Sequence, residues 1–188
     1  ATQNNRAVVY NYVENSWSTM SLARSSYADA STYAVPYATE YTSTNTPTIS
    51  NLSGATNTFG SSLYYAHEVG NNEVALNGST TAIPAYIQSG DFDLPTDGDG
   101  EYLLRVSRFL PDFKNLQGNA IVTIFLKNFP VDAGTSSKLG PFTINSTTQK
   151  INTRARGRLA NIKIQNTAVN ETWRFGTFRA DVNQDGRR

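Results

Sequence analysis

One histidine, no cysteine and fifteen carboxylates are the groups from which this 188-residue chain would have to build any chemistry. The missing cysteines exclude thiolate-ligated zinc, cysteine nucleophiles and disulfide scaffolds, and a single His67 excludes a multi-histidine metal site. A serine hydrolase needs a presented nucleophile beside a base, and no G-x-S-x-G accompanies His67. In the context YYAHEV it reads as a strand histidine, hydrogen-bonded locally. Asp91, Asp93, Asp97, Asp99 and Glu101 crowd one turn, whereas a glycosidase needs two carboxyls from separate elements across a groove. As a calcium loop this run fails, because Tyr102 stands where glycine is required. Residues 181–186 (DVNQDG) match the first half of such a loop, but no closing glutamate follows and two arginines adjoin it. Gln184-Asp185-Gly186 therefore reads as a turn. No phosphate-binding glycine loop is present, so no cofactor and no metal are expected. Four N-x-[ST] sites, at Asn51, Asn77, Asn145 and Asn170, are what chance supplies among 19 Asn and 39 Ser and Thr.

The remaining chemistry is cationic and aromatic. Residues 1–150 hold 8 basic and 12 acidic side chains, and residues 151–188 hold 8 and 3, a local excess of +5 at the end of the chain. Arg154, Arg156 and Arg158 recur at period two, and Arg174, Arg179, Arg187 and Arg188 follow. Such a row suits a docking surface for carboxylates or phosphates, or an ion-pair row with acids such as Asp91, Asp93 or Asp112, or a solvated face. The net charge of +1 implies no general affinity for nucleic acid, and no run of 18 apolar residues marks a membrane helix. Residues 1–6 lack the pattern of a signal peptide.

The elements that must position these groups are strands. Period two dominates, turn residues interrupt it often, and no window of helical length shows a 3.6 period. Residues 8–12 and 17–20 predict a hairpin around a turn at 13–16. Pro36 limits pairing near Tyr27, Tyr33 and Tyr37. Residues 40–62, rich in Thr, Ser and Asn, read as a linker of loop or weak edge strands. Strands are expected at 62–69, with 73–76 pairing back onto it, and then at 82–88, 101–110, 120–129, 143–153 and 159–165. Residues 120–129 place Val122, Ile124 and Leu126 on one face and Ile121, Thr123 and Phe125 on the other. A strand apolar on both faces belongs in a central position or against another subunit, so Ile121, Phe125 and Phe129 are candidates for an interface. The expected fold is all-β: an antiparallel β-sandwich over 63–188, a linker at 40–62, and a hairpin region at 1–39.

One parity conflict needs a structural answer. Arg154, Arg156 and Arg158 share parity with Ile162 and Ile164, so an unbroken strand would put guanidiniums and core isoleucines on one face. A register break is required, with Gly157 as its natural place, unless the arginines project past the sheet edge.

The tail RARGR…WRFGTFRADVNQDGRR, together with RFLPDF at 108–113 and FLKNFP at 125–130, resembles the C-terminal part of structural tail proteins of short-tailed bacteriophages. The resemblance is to tail-tube, nozzle or stabilisation proteins that carry a β-propeller, and VVYNYVENSWS is similar to a late propeller hairpin. It implies a non-enzymatic virion component that forms a symmetric homo-oligomer and touches neighbouring tail proteins. Genome DNA would pass nearby without specific binding. The arginines, with Trp173 and Arg174, would then face protein, and no catalytic residue is implied. Family members are larger, which makes this chain, opening on Ala1, a C-terminal portion. Two other classes fit the residues. One is a carbohydrate- or receptor-binding β-sandwich that uses exposed Tyr and Trp near the 97–101 turn. The other is a polysaccharide-degrading enzyme that uses two of the acids.

Overall fold

The computed structural model describes residues 4–31, 33–42, 48–50, 56–58, 61–67, 70–74, 78–94, 102–129 and 137–187. Among them there is no helix, and every strand pairing is antiparallel. The all-β expectation is met. The chain divides into two units, Ala1–Val69 and Gly70–Arg188.

The first unit opens with a hairpin of β1 (Arg6–Asn11) and β2 (Ser16–Ser21), in which Tyr10 lies opposite Trp17. Asn15 at φ 50 supplies the left-handed turn residue, and the Asn11 side chain accepts from the amides of Val13 and Glu14. β3 (Ser26–Ala28) and β4 (Tyr37–Thr42) then form a sheet with β7 (Ser61–Ala66), in the order β3-β4-β7. Between them β5 (Thr48–Ser50) pairs with β6 (Thr56–Thr58). The expected linker at 40–62 does not divide the chain, because β4 pairs with β7 across it over six residues. The division falls at Val69/Gly70 instead.

The second unit contains the sandwich. Its first short strands, β8 (Asn72–Val74) and β9 (Thr80–Ala82), pair with each other, so Glu73 and Val74 of the expected return strand face Thr81 and Thr80. The segment 82–88 is not one strand. Pro84 lies between β9 and β10 (Tyr86–Gln88), and Asn166 clamps the join, accepting from the Ala85 amide at 3.2 Å and donating to the Ile83 carbonyl at 3.1 Å. The larger strands are β11 (Tyr102–Leu110), β13 (Ala120–Lys127), β14 (Ser137–Ile144), β15 (Ile151–Gly157), β16 (Leu159–Gln165) and β18 (Arg179–Arg187). β12 (Phe113–Gln117) and β17 (Thr172–Phe175) make a separate pair.

Two sheets enclose the core, one ordered β10-β16-β13-β14 and the other β15-β11-β18. From the first, Val122, Ile124, Ile162 and Ile164 point inward; from the second, Leu104, Val106 and Phe109 do. β13 is central, as its two apolar faces require, and Ile121 and Phe125 lie on its outer face, half-buried. β11 keeps alternation only to Val106. A bulge between Val106 and Arg108 then lets Phe109 face inward as well, stacked on Phe178 at 5.3 Å. The segment 143–153 is two strand ends separated by an Asn145 turn, whose side chain accepts from Thr147 and Thr148.

The arginine parity conflict resolves at a corner. β15 alternates strictly, with Ile151, Thr153, Ala155 and Gly157 buried and Asn152, Arg154 and Arg156 exposed. At Gly157 the chain leaves one sheet for the other. The Arg158 amide donates to the Lys127 carbonyl at 3.0 Å, and β16 begins at Leu159 beside β13. A Cβ on Gly157 would lie 3.2 Å from Leu126 Cβ and 3.3 Å from the Lys127 carbonyl oxygen, so a side chain at the corner would require these neighbours to give by a few tenths of an ångström. A change of sheet, not a bulge within one strand, separates the arginines from the isoleucines.

Candidate interaction surfaces

The outer face of the β15-β11-β18 sheet is an arginine surface. Arg105 on β11 lies directly opposite Arg156 on β15 and Asn183 on β18, and Arg108 lies opposite Asn152 and Asp181. Arg108 Nε donates to Asp181 Oδ2 at 2.7 Å, and its Nη2 contacts the same oxygen. Arg156 reaches across the central strand, its Nε 2.9 Å from Asp185 Oδ2 and its Nη2 donating to the Asp185 carbonyl at 3.0 Å. The ion pairs expected with Asp91, Asp93 or Asp112 do not form with this row. Asp91 is held by Lys127 at 2.7 Å, and Asp112 by Arg179 at 3.5 Å. Gln184-Asp185-Gly186 is not a terminal turn but the end of β18, irregular at Gly186 (φ +96). The half-match to a calcium loop thus supplies carboxylates to arginine. No group of three possible metal ligands exists among the described residues.

Four arginines and two aspartates on this face leave Arg105 and Arg154 with no carboxylate partner among the described residues. Both are exposed. Arg158 is half-buried at the corner and is already engaged. The period-two series Asp181, Asn183, Asp185 is a sequence hint of a strand here, obscured by turn-forming residues, and it does not name the partner strand.

β14 and β15 are edge strands of opposite sheets, and an open cleft of about 380 Å³ lies between them. Leu139, Gly140 and Phe142 form one wall, and Asn152, Thr153 and Arg154 the other. Gly140 at φ +101 allows the wall to curve, and a Cβ there would sit 2.9 Å from the Val122 carbonyl oxygen. The Thr153 hydroxyl bonds back to the Val106 carbonyl, which fixes the opposite wall.

The other expected interface residues divide. Ile121 and Phe125 lie in a face partly covered by its own polar neighbours. There Lys163 Nζ sits 4.6 Å above the Tyr86 ring, and Asn161 accepts from Gln88 at 2.9 Å. Phe129 is 51% exposed just beyond β13. Trp173 is committed inside the unit, half-buried and edge-on to Phe113 at 6.1 Å. Arg174 beside it is exposed.

In the first unit the hairpin carries large apolar groups on both faces, with Val8, Tyr10 and Trp17 on one and Val9 and Met20 on the other. Trp17 is 70% exposed and stacks on Tyr10 at 4.5 Å.

The lone histidine lies just past β7 in a polar cluster. Its backbone amide donates to the Pro36 carbonyl at 2.8 Å, but ring atom Nε2 is buried without a partner, contrary to the expected local hydrogen bond. Burial, and secondarily the Arg24 guanidinium, lower its pKa below the ordinary 6.5. Arg24 stacks 3.7 Å above the Tyr65 ring and pairs with Glu40 at 3.5 Å, and Tyr65 donates to Glu40 at 2.8 Å. The expected acidic turn at 97–101 lies outside the described residues. No protein-family model matches the chain, and no curated protein matches it.

Proposed function

We propose that this chain is a non-enzymatic structural component of a bacteriophage virion, a tail protein of the nozzle or tube kind. In this reading it assembles with copies of itself and with neighbouring tail proteins into a symmetric oligomer. The observation that carries the assembly reading is the β1–β2 hairpin. A two-stranded ribbon wet on both faces is marginally stable, yet this one carries Val8, Tyr10, Trp17, Val9 and Met20 at 40–70% exposure. Covering the exposed part of each side chain contributes roughly 1–2 kcal/mol, a fraction of the full-burial value, so a neighbour that sandwiches the ribbon stabilises both partners. The phage assignment draws on the resemblance of the 108–113, 125–130 and C-terminal segments to tail proteins. Genome DNA passes nearby without specific binding, and the arginine face meets protein.

Mass spectrometry of purified short-tailed virions tests the assignment. Peptides of this chain at a copy number set by tail symmetry are expected, and their absence from virions while the protein is abundant in lysate overturns it. The stacked, exposed Tyr10–Trp17 pair favours one second reading, a carbohydrate- or receptor-binding module. Binding on a glycan array that is lost in Trp17→Ser would support that reading in place of the first.

A further inference from the structure

We propose that the cleft between the free edges of β14 and β15 is a docking groove for an extended acidic segment of a partner protein. The segment adds as a strand to β15, seats apolar side chains between the walls and aims carboxylates at Arg154.

Three observations meet at this place. The first is geometric. Among the described residues β15 has one neighbour in its sheet, β11, and it has no proline across 151–157, so backbone donors and acceptors along its other side can take a ladder. β14 is a poorer template, interrupted at Gly140-Pro141 where its pairing with β13 shifts register. The second is the lining. Leu139 and Phe142 are partly buried hydrophobics packed against the core, and the cleft they border is open to solvent. Its 380 Å³ lies near the small end of the range of about 300–1,000 Å³ found for small-molecule pockets, room enough for the side chains of a short segment. Alternate side chains of an added strand point to one face, so apolar residues at every second position reach the cleft while those between face solvent.

The third is charge. From residue 133 to residue 170 the chain holds six basic residues and no acid. One of the six, Arg154 on β15, lines the cleft and has no carboxylate partner among the described residues, while Lys138 lies opposite Phe125 on the outer face of the other sheet. Lys150, exposed just before β15, extends the same sign along the strand. An apolar floor beside a cationic strand edge matches a segment that alternates hydrophobic and acidic residues. A nucleic acid strand needs stacking platforms, and one half-buried Phe142 is a poor one.

The inference deepens the assembly reading and rests on it in taking the partner to be a protein. The two fail separately: assembly through the hairpin with no peptide binding rejects the cleft, and peptide binding by a chain absent from virions rejects the assembly reading.

Fluorescence anisotropy with the full chain and a labelled eight-residue peptide of alternating Glu and Val tests it. Saturable binding is expected, weakened about tenfold or more by Arg154→Glu, since hydrogen bonds to charged groups are worth about 1.5–3 kcal/mol. A block peptide of identical composition, with all Glu before all Val, should bind more weakly. Amide exchange should slow across 151–157 when the alternating peptide is bound. Equal binding of the block peptide, or of single-stranded DNA of the same charge, makes this a diffuse cationic surface and overturns the proposal. So does unchanged exchange across β15.

Discussion

At the scale of single residues, the ionic contacts on the arginine face are weak supports, and the buried polar groups are strong ones. The Arg108–Asp181 pair is about two-fifths exposed on each side, so removing it by Asp181→Asn should cost no more than about 1 kcal/mol in a denaturant titration. Glu171 differs. Its buried Oε2 accepts from the amides of Thr167 and Ala168 at 3.0 and 2.8 Å. Glu171→Ala leaves two donors unsatisfied and should destabilise by about 1–3 kcal/mol, with Glu171→Gln milder because an acceptor oxygen remains. His67 sets a pH dependence of its own. With its pKa below 6.5 in the folded state, the imidazole stays neutral there while the unfolded chain protonates near 6.5. Stability from this group is therefore complete above pH 6.5 and is lost as pH falls through the lowered folded value. Denaturant midpoints of the first unit should drop on acidification below pH 6.5 in the wild type and stay flatter in His67→Phe. An identical drop in both proteins rejects His67 as the source.

At the scale of elements, the decisive feature is the corner at Gly157. The sequence states the problem, since Arg154–Arg158 and the isoleucines of β16 cannot share one face, and even marks the glycine. It does not carry the solution, because whether a strand bulges, ends or changes sheets depends on what Lys127 and Leu126 present across the corner. Other elements divide in the same way. The period-two pattern of β13 and the turn between β1 and β2 are local properties, and both are legible from residue types. The pairing of β4 with β7 joins strands separated by residues 43–60, a stretch with almost no apolar period, so composition reads it as a linker. The role of β18 was hidden because DVNQDG carries turn and calcium-loop residues; only its register against β11 turns Asp181 and Asp185 into arginine partners. The cleft has no sequence signature, since its walls come from edges of different sheets. The corner argument yields a direct expectation. Gly157→Ala forces a Cβ against Leu126 and the Lys127 carbonyl and should cost about 1–3 kcal/mol. Arg156→Ala, next to it but exposed, should change thermal stability by about 1 kcal/mol or less. A neutral Gly157→Ala in the same melting experiment would show that the corner relaxes freely.

At the scale of the whole molecule, the two kinds of apolar surface play different parts. The apolar surface between the two sheets belongs to the sandwich core, where Leu104, Val106, Val122 and Ile144 reach zero exposure. The apolar surface on the β1–β2 hairpin finds no such cover among the described residues of its own unit. If neighbours supply it, replacing Val8 and Trp17 with serine removes contact area from the assembly without touching the core. Val8→Ser/Trp17→Ser should therefore shift the oligomer to smaller species at a given concentration. It should leave the sandwich as resistant to denaturant as before, because the substituted side chains lie outside that unit. Sedimentation velocity across a concentration series, paired with amide exchange of β11 and β13, separates these effects. Dissociation with unchanged core protection places the assembly contact on the ribbon. An unchanged sedimentation profile shows that the ribbon's exposed aromatics serve something other than self-association. Core protection that falls together with dissociation shows instead that the sandwich itself depends on the assembled state. Such dependence is the behaviour of an obligate oligomer, in which folding stability varies with protomer concentration.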